Sequence, residues 1–222
     1  MSSRPASDRT ADPSSGAGKG PPPGFRYLPG RLDRSAQEAL LAEIRAVVRA
    51  APLFQPVMPR TGKPLSVKMS NCGSLGWVAD EAGYRYQSAH PVTGKPWPAI
   101  PQMLLDLWAE ISGFPAEPEA CLINFYEETA RMGLHRDEDE EDFSAPVFSV
   151  SLGDTCRFRV GGQVRKDPTS SFKLASGDIV LLAGEARTVF HGVDRIYPGT
   201  STLLKDGGRI NLTLRRVRKV PV

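Results

Sequence analysis

From Cys121 to Val217 the chain offers eight strand-length runs with no helix-length periodic run between them. They are Cys121 to Tyr126, Leu134 to Asp137, Val147 to Leu152, Arg157 to Val160, Ser171 to Leu174, Ile179 to Leu182, Thr188 to Val193 and Arg209 to Val217. Gly, Asp and Pro separate them at short intervals, as in Ser176-Gly177-Asp178. Short strands without crossover helices must close against one another, which restricts the architecture to a sandwich, a barrel or a jelly roll.

Ahead of these strands the pattern is helical. Ser35 and Glu38 have capping-box spacing before Leu40, Leu41, Ile44, Val47 and Val48, which predicts an amphipathic helix ended by Pro52. A second helix follows from Ile100, Met103, Leu104, Leu107, Trp108 and Ile111, stopped by Gly113 and Pro115 and bracing the sheet. Phe25 to Leu28 reads as a short strand. The fold class is therefore mainly β with flanking helices.

Residues 1–24 contain five Ser, four Gly and five Pro and little besides Ala that is apolar, so burial cannot offset the entropy of ordering them. A disordered tail is expected there, and one folded domain over 25–222. Within that domain residues 54–98 are rich in Gly, Pro, Asn and aromatics, too rich in turn formers for helices and too long for a plain connection. Trp77, Tyr84, Tyr86 and Trp97 stand there among Lys63, Lys68, Arg85 and Lys95, a mixture suited to stacking bases while cationic groups hold phosphates. The alternative is a small cluster packed under a loop, favoured for Trp97 over Trp77 or Tyr84.

A net charge of +3 permits nucleic-acid binding without arguing for it. Cys72, Cys121 and Cys156 are odd in number and lack zinc-like spacing, so reduced thiols are expected. The longest purely apolar run, Ile179 to Ala183, is too short to span a bilayer, and no apolar secretory region follows Met1, so a cytoplasmic protein without a membrane partner is expected.

His135 and Asp137 are two residues apart, so on an extended segment both leave the same face and could grip one metal ion from one side. Two His and one carboxylate suit non-haem Fe(II), and the chain has only two other His. His191, within a β-rich run, is a better third ligand than His90, which precedes Pro91 in a polar turn; a structural histidine bonded in a strand is the competing reading. In the last strand Arg209, Asn211, Thr213 and Arg215 alternate with Ile210, Leu212 and Leu214. If that polar face looks inward, its arginines need anionic partners, which a dicarboxylate would supply. From alternation alone, an edge strand with a basic outer face is the slightly better reading.

Taken as a set, His135-x-Asp137, then His191, then Arg209-x-Asn211-x-Thr213-x-Arg215 resembles the iron- and 2-oxoglutarate-dependent dioxygenases, specifically the AlkB family of nucleic-acid dealkylases. The resemblance runs from about Phe25 to Arg218. It takes in Asn71-Cys72-Gly73-Ser74-Leu75-Gly76-Trp77, Lys95-Pro96-Trp97-Pro98, Cys121-Leu122-Ile123-Asn124-x-Tyr126, and Asp178-Ile179-Val180 before Gly184-Glu185-Ala186-Arg187.

The resemblance implies a double-stranded β-helix of jelly-roll type over 120–218, with 54–98 as a nucleotide-recognition lid. It implies Fe(II) on His135, Asp137 and His191, and 2-oxoglutarate held distally by Arg209, nearer the metal by Arg215, and by Asn124, Tyr126 and Asn211, with O2 as the other substrate. The activity implied is oxidative demethylation of N1-methyladenine and N3-methylcytosine, releasing formaldehyde, succinate and CO2. DNA is the expected polymer, single strands by preference, with RNA as a second one, and a monomer is expected to act on it. Trp77 and Asp139 would face the cationic base, with Tyr84 and Arg165 in contact with substrate and Met69 in the pocket wall. The remaining acids from Glu138 to Asp142 are expected to be solvated or paired with arginines. Arg136 stands where close relatives are expected to carry a neutral residue. A 2-oxoglutarate oxygenase acting on a protein or small molecule is the alternative, and it would not need the Trp77 and Tyr84 lid.

Overall fold

The computed structural model describes residues 20–220. Most of the expected tail over 1–24 lies outside the described residues. Among the described residues, twelve strands form three antiparallel sheets. Six of them, β1 (Phe25–Leu28), β10 (Ile179–Leu182), β7 (Val147–Gly153), β12 (Arg209–Arg215), β5 (Ala120–Tyr126) and β2 (Lys68–Gly73), lie side by side in that order. Facing them are β6 (Met132–His135), β11 (His191–Tyr197), β8 (Thr155–Val160) and β9 (Ser170–Leu174), also in that order. The third sheet is a hairpin of β3 (Gly76–Asp80) and β4 (Gly83–Gln87).

Period-2 alternation assigns the two faces of the large sheet. Cys121, Ile123, Ile179, Leu181, Leu212 and Leu214 point outward and are covered by α1 (Arg34–Ala50) and α2 (Gln102–Ser112) through Leu40, Ile44, Leu104 and Trp108. Leu122, Tyr126, Val180 and Leu182 point inward and meet Phe158, Leu174, Val193 and Ile196 of the smaller sheet. Helices brace one face, and the other face closes the jelly roll.

Four local expectations are corrected. The cap of α1 is Asp33, whose carboxylate accepts from Ala36 N at 2.8 Å, two residues before Ser35; Glu38 pairs instead with Arg34 at 2.6 Å, one turn away. The strand expected over Leu134 to Asp137 ends at His135, so Asp137 sits in the loop beyond it. Residues 184–188 form a 3-10 turn, and β11 begins only at His191. Lastly, 54–98 is not all irregular: β2 pairs with β5 in the large sheet, with Met69 opposite Asn124. No described helix is long and apolar enough to cross a membrane.

Candidate metal and cosubstrate site

Strand β12 is not an edge. It lies between β5 and β7, so Arg209, Asn211, Thr213 and Arg215 face the closed side of the sandwich. Beyond the end of this polar row, β6 and β11 set His135 directly opposite His191 in register, with ring centroids 4.6 Å apart. Gly192 permits the approach: a Cβ there would stand 2.6 Å from Met132 O and 2.8 Å from Gly133 O. His90 is elsewhere, buried with its Nε2 2.7 Å from Pro52 O.

His135, Asp137 and His191 bring one donor atom each to within 4.8 Å of one another. His135 Nδ1 is 3.0 Å from Gly133 O and His191 Nδ1 is 3.0 Å from Val189 O. A carbonyl can only accept, so each Nδ1 carries the proton and each Nε2 turns its lone pair inward. Those Nε2 atoms lie 3.6 and 3.5 Å from the Asp137 carboxylate, whose Oδ2 is buried without a hydrogen-bond partner. Two lone pairs and a carboxylate converging on one point repel unless a cation stands between them, so the donor set fits a divalent metal, and its composition suits Fe(II).

The electrostatics hold the ligands in binding form. Burial and then the neighbouring His191 push the His135 imidazole down to about 4, so it is neutral near pH 7. For Asp137, burial alone would push the carboxyl up, but the adjacent Arg215 guanidinium holds it well below the ordinary carboxylate range. Arg215 donates to Asp137 Oδ1 at 2.6 Å and to Glu140 Oε1 at 2.8 Å, while Arg187 donates to Glu140 Oε2 at 2.9 Å and to the Asp137 carbonyl at 2.8 Å.

Arg209 is placed differently. It is fully buried, and its partners are the Ser151 hydroxyl at 2.8 Å and two backbone carbonyls at 3.3 and 3.4 Å, while its Nε has no partner. No carboxylate pairs with it among the described residues. Asn124 Oδ1 is likewise buried and unpartnered on the neighbouring strand. Tyr126 lies directly opposite Arg209 in register and is fully buried. Asn211 is engaged with Ser149 at 2.6 Å and with Thr213 at 2.9 Å. A buried guanidinium with neutral partners and a free donor calls for an anion, and a carboxylate group of 2-oxoglutarate fits.

At the hairpin, Trp77 stacks on the exposed Tyr84 with centroids 5.5 Å apart and planes at 17°, and its indole N–H donates to Asp139 at 2.7 Å. Met69 is buried in β2, opposite Asn124 of β5. Arg165 and Arg136 both lie over Phe190, at 5.8 and 5.1 Å from its centroid, and Arg136 also pairs with Glu138 at 2.7 Å. Trp97 belongs to a small buried cluster with Ala51 and Val78, as favoured from its sequence context. Two of the five Lys and Arg residues in 54–98 are matched by acids, Lys68 by Glu127 at 2.6 Å and Arg85 by Asp80 at 2.8 Å.

Sequence reasoning missed Arg187 and Tyr86 as parts of the site. Of the acids expected to be solvated or paired with arginines, Glu140 takes the second course, its side chain having no exposed surface, while Arg187 carries no signal beyond the stretch that contains it.

Residues 24–215 match the family described as the 2OG-Fe(II) oxygenase superfamily. A Caulobacter vibrioides protein named alpha-ketoglutarate-dependent dioxygenase AlkB homolog is 56% identical over 88% of this chain and 89% of its own length. The Escherichia coli alpha-ketoglutarate-dependent dioxygenase AlkB is 42% identical over 85% and 88% respectively. The solved structure of OsALKBH1 superposes with a TM-score of 0.75 at 29% identity, covering 88% of this chain and 99% of that one.

Proposed function

The chain belongs to the 2OG-Fe(II) oxygenase superfamily, within its AlkB group, and is a dioxygenase dependent on Fe(II), 2-oxoglutarate and O2; from that premise we propose that it demethylates alkylated bases in nucleic acid. N1-methyladenine and N3-methylcytosine in DNA are the substrates, with RNA as a second polymer. The observation that carries this reading is the Trp77, Tyr84 and Asp139 group beside the ligand-bearing loop. Methylation at these ring nitrogens makes the base cationic, and an aromatic face next to a carboxylate favours it over the neutral base.

Bound iron with its cosubstrate supplies the oxidising power, and this chain's residues supply position. Arg209 anchors the far carboxylate of 2-oxoglutarate, with Asn124 and Tyr126 as polar neighbours, while Asn211 and Arg215 lie nearer the metal. Arg165 contacts the polynucleotide, and Met69 closes the pocket wall. Tyr84 and Trp77 hold the extruded base, so the methyl group is presented at a fixed distance from the ligand set. Single strands are preferred because no base pair must be broken. The protein acts as a monomer, since one chain carries the whole site, and three free thiols favour a reducing cytoplasm.

The test is mass spectrometry of a single-stranded oligonucleotide carrying one N1-methyladenine, incubated with enzyme, Fe(II), 2-oxoglutarate and ascorbate. Loss of one methyl group only in the complete mixture is expected. A methylated strand left intact while 2-oxoglutarate is consumed would refute the nucleic-acid reading.

A further inference from the structure

The hairpin and the metal-bearing loop are joined by a contact that base stacking does not require. Trp77 and Tyr86 are directly opposed in the β3–β4 ladder. Trp77 donates to Asp139, and Tyr86 donates to Glu140, the next residue along. One cross-strand pair therefore grips two consecutive residues of the loop that carries the metal ligand Asp137.

The Tyr86 grip reaches further. Its hydroxyl also accepts from Arg215 Nη1 at 3.2 Å, and the same guanidinium group holds Glu140 Oε1 at 2.8 Å and Asp137 Oδ1 at 2.6 Å. Arg187 closes the ring from the far side through Glu140 Oε2 and the Asp137 carbonyl. Tyr86 is thus two contacts from the ligand: hydroxyl to guanidinium, guanidinium to carboxylate. Because Asp137 lies beyond the end of β6, no strand ladder fixes its carboxylate, and these side chains must do so.

We propose that Tyr86 is a positioning residue for the metal ligand Asp137, acting from the nucleotide-recognition hairpin through Arg215 and Glu140. Arg215 is shared between two carboxylates, and the Tyr86 hydroxyl fixes how it is shared. Without that hydroxyl, Glu140 loses a donor and Arg215 loses an acceptor. The guanidinium group then settles between Asp137 and Glu140 without a third restraint, and Asp137 Oδ2 is no longer aimed at the point where the two Nε2 lone pairs meet. The reading rests on His135, Asp137 and His191 being the metal ligands.

The experiment is a titration of the metal-free protein with Co(II), followed by its visible absorption bands, with no nucleic acid and no turnover. Tyr86→Phe is expected to weaken Co(II) affinity by roughly 10-fold, the lower end for an outer partner of a metal ligand, and to shift the bands, with little change in unfolding midpoint. Glu140→Gln, which keeps the shape but leaves Arg215 pulled wholly toward Asp137, is expected to weaken Co(II) binding as well, and it carries the test if Tyr86→Phe does not fold. Wild-type affinity and spectrum in folded Tyr86→Phe would overturn the proposal, and so would the same result in Glu140→Gln where Tyr86→Phe does not fold. Asp137→Ala tests the premise separately: if it binds Co(II) like the wild type, or if the wild type binds none, the ligand assignment and the proposal fall together.

Discussion

Arg215 holds Asp137 Oδ1 at 2.6 Å, both side chains being more than nine-tenths buried, so one ligand of the metal set is also half of a buried ion pair. Removing one partner of such a pair leaves the other charge uncompensated in a poorly hydrated interior. Arg215→Met is therefore expected to destabilise the metal-free protein by about 3–5 kcal/mol, read from urea unfolding, because Asp137 and Glu140 lose their shared cation together. The exposed pair of Arg31 and Glu110 gives the contrast: Arg31→Ala is expected to cost no more than about 1 kcal/mol.

Arg209 should behave in the opposite way. Its charge has no carboxylate partner among the described residues, so Arg209→Met removes a costly buried cation and should leave metal-free stability nearly unchanged or higher. Cosubstrate binding should suffer instead. Losing a charge-assisted pair worth about 1.5–3 kcal/mol raises the KM for 2-oxoglutarate by roughly 10- to 150-fold. Succinate formation against 2-oxoglutarate concentration measures this, and Arg209→Lys should recover only part, since ammonium cannot reproduce the planar fork.

Acid should destabilise the metal-free protein in two steps. Burial and His191 lower His135 from 6.5 to about 4, so between those values the unfolded chain binds a proton that the folded chain does not. Stability therefore falls as the pH drops from about 6.5 toward 4. The side chain keeps 34% of its surface exposed, so the step is smaller than the shift alone implies. Asp137 and Glu140 are held below their ordinary values of 3.8 and 4.5, so the stability they add is present above those values and is lost at lower pH, as the folded carboxylates protonate. Urea midpoints of wild type and His135→Asn at pH 7, 5, 4 and 3 separate the steps, because only the first is absent in the variant.

Trp77→Ala should spare the metal site and damage substrate capture. Base stacking on an aromatic ring is worth about 1–3 kcal/mol, so affinity for a methylated oligonucleotide should fall by roughly 5- to 150-fold. Slow 2-oxoglutarate decay should continue without matching formaldehyde. Trp77→Phe, which keeps a ring but loses the N–H donated to Asp139, should fall between the two.

The sheet was legible because its pattern is local. Cys121, Leu122 and Ile123 alternate between two buried faces, and turn residues separate the strands wherever the chain reverses. The direction of the Arg209 to Arg215 face was not legible from alternation alone, because period 2 says which residues share a face and not what lies over it. Resemblance to a family supplied that choice, and the central position of β12 agrees with it. Strand β2 was hidden because Asn71 and Gly73 weaken β-propensity, while β5 beside it supplies the pairing. Glu140 was hidden by its neighbours: sequence cannot tell this carboxylate, which meets Arg187 and Arg215, from Glu138, Asp139 and Glu141, which are exposed. Tyr86 and Arg187 matter through tertiary contacts 54 and 47 residues away, which no local pattern encodes.

The most direct measurement is the ratio of succinate to formaldehyde released from matched single strands with and without one N1-methyladenine, at saturating Fe(II), 2-oxoglutarate and O2. The account predicts equal amounts of both products on the methylated strand, and little of either on the unmodified one. Succinate at the same rate on both strands with no formaldehyde would contradict it, leaving an oxygenase whose substrate is not an alkylated base.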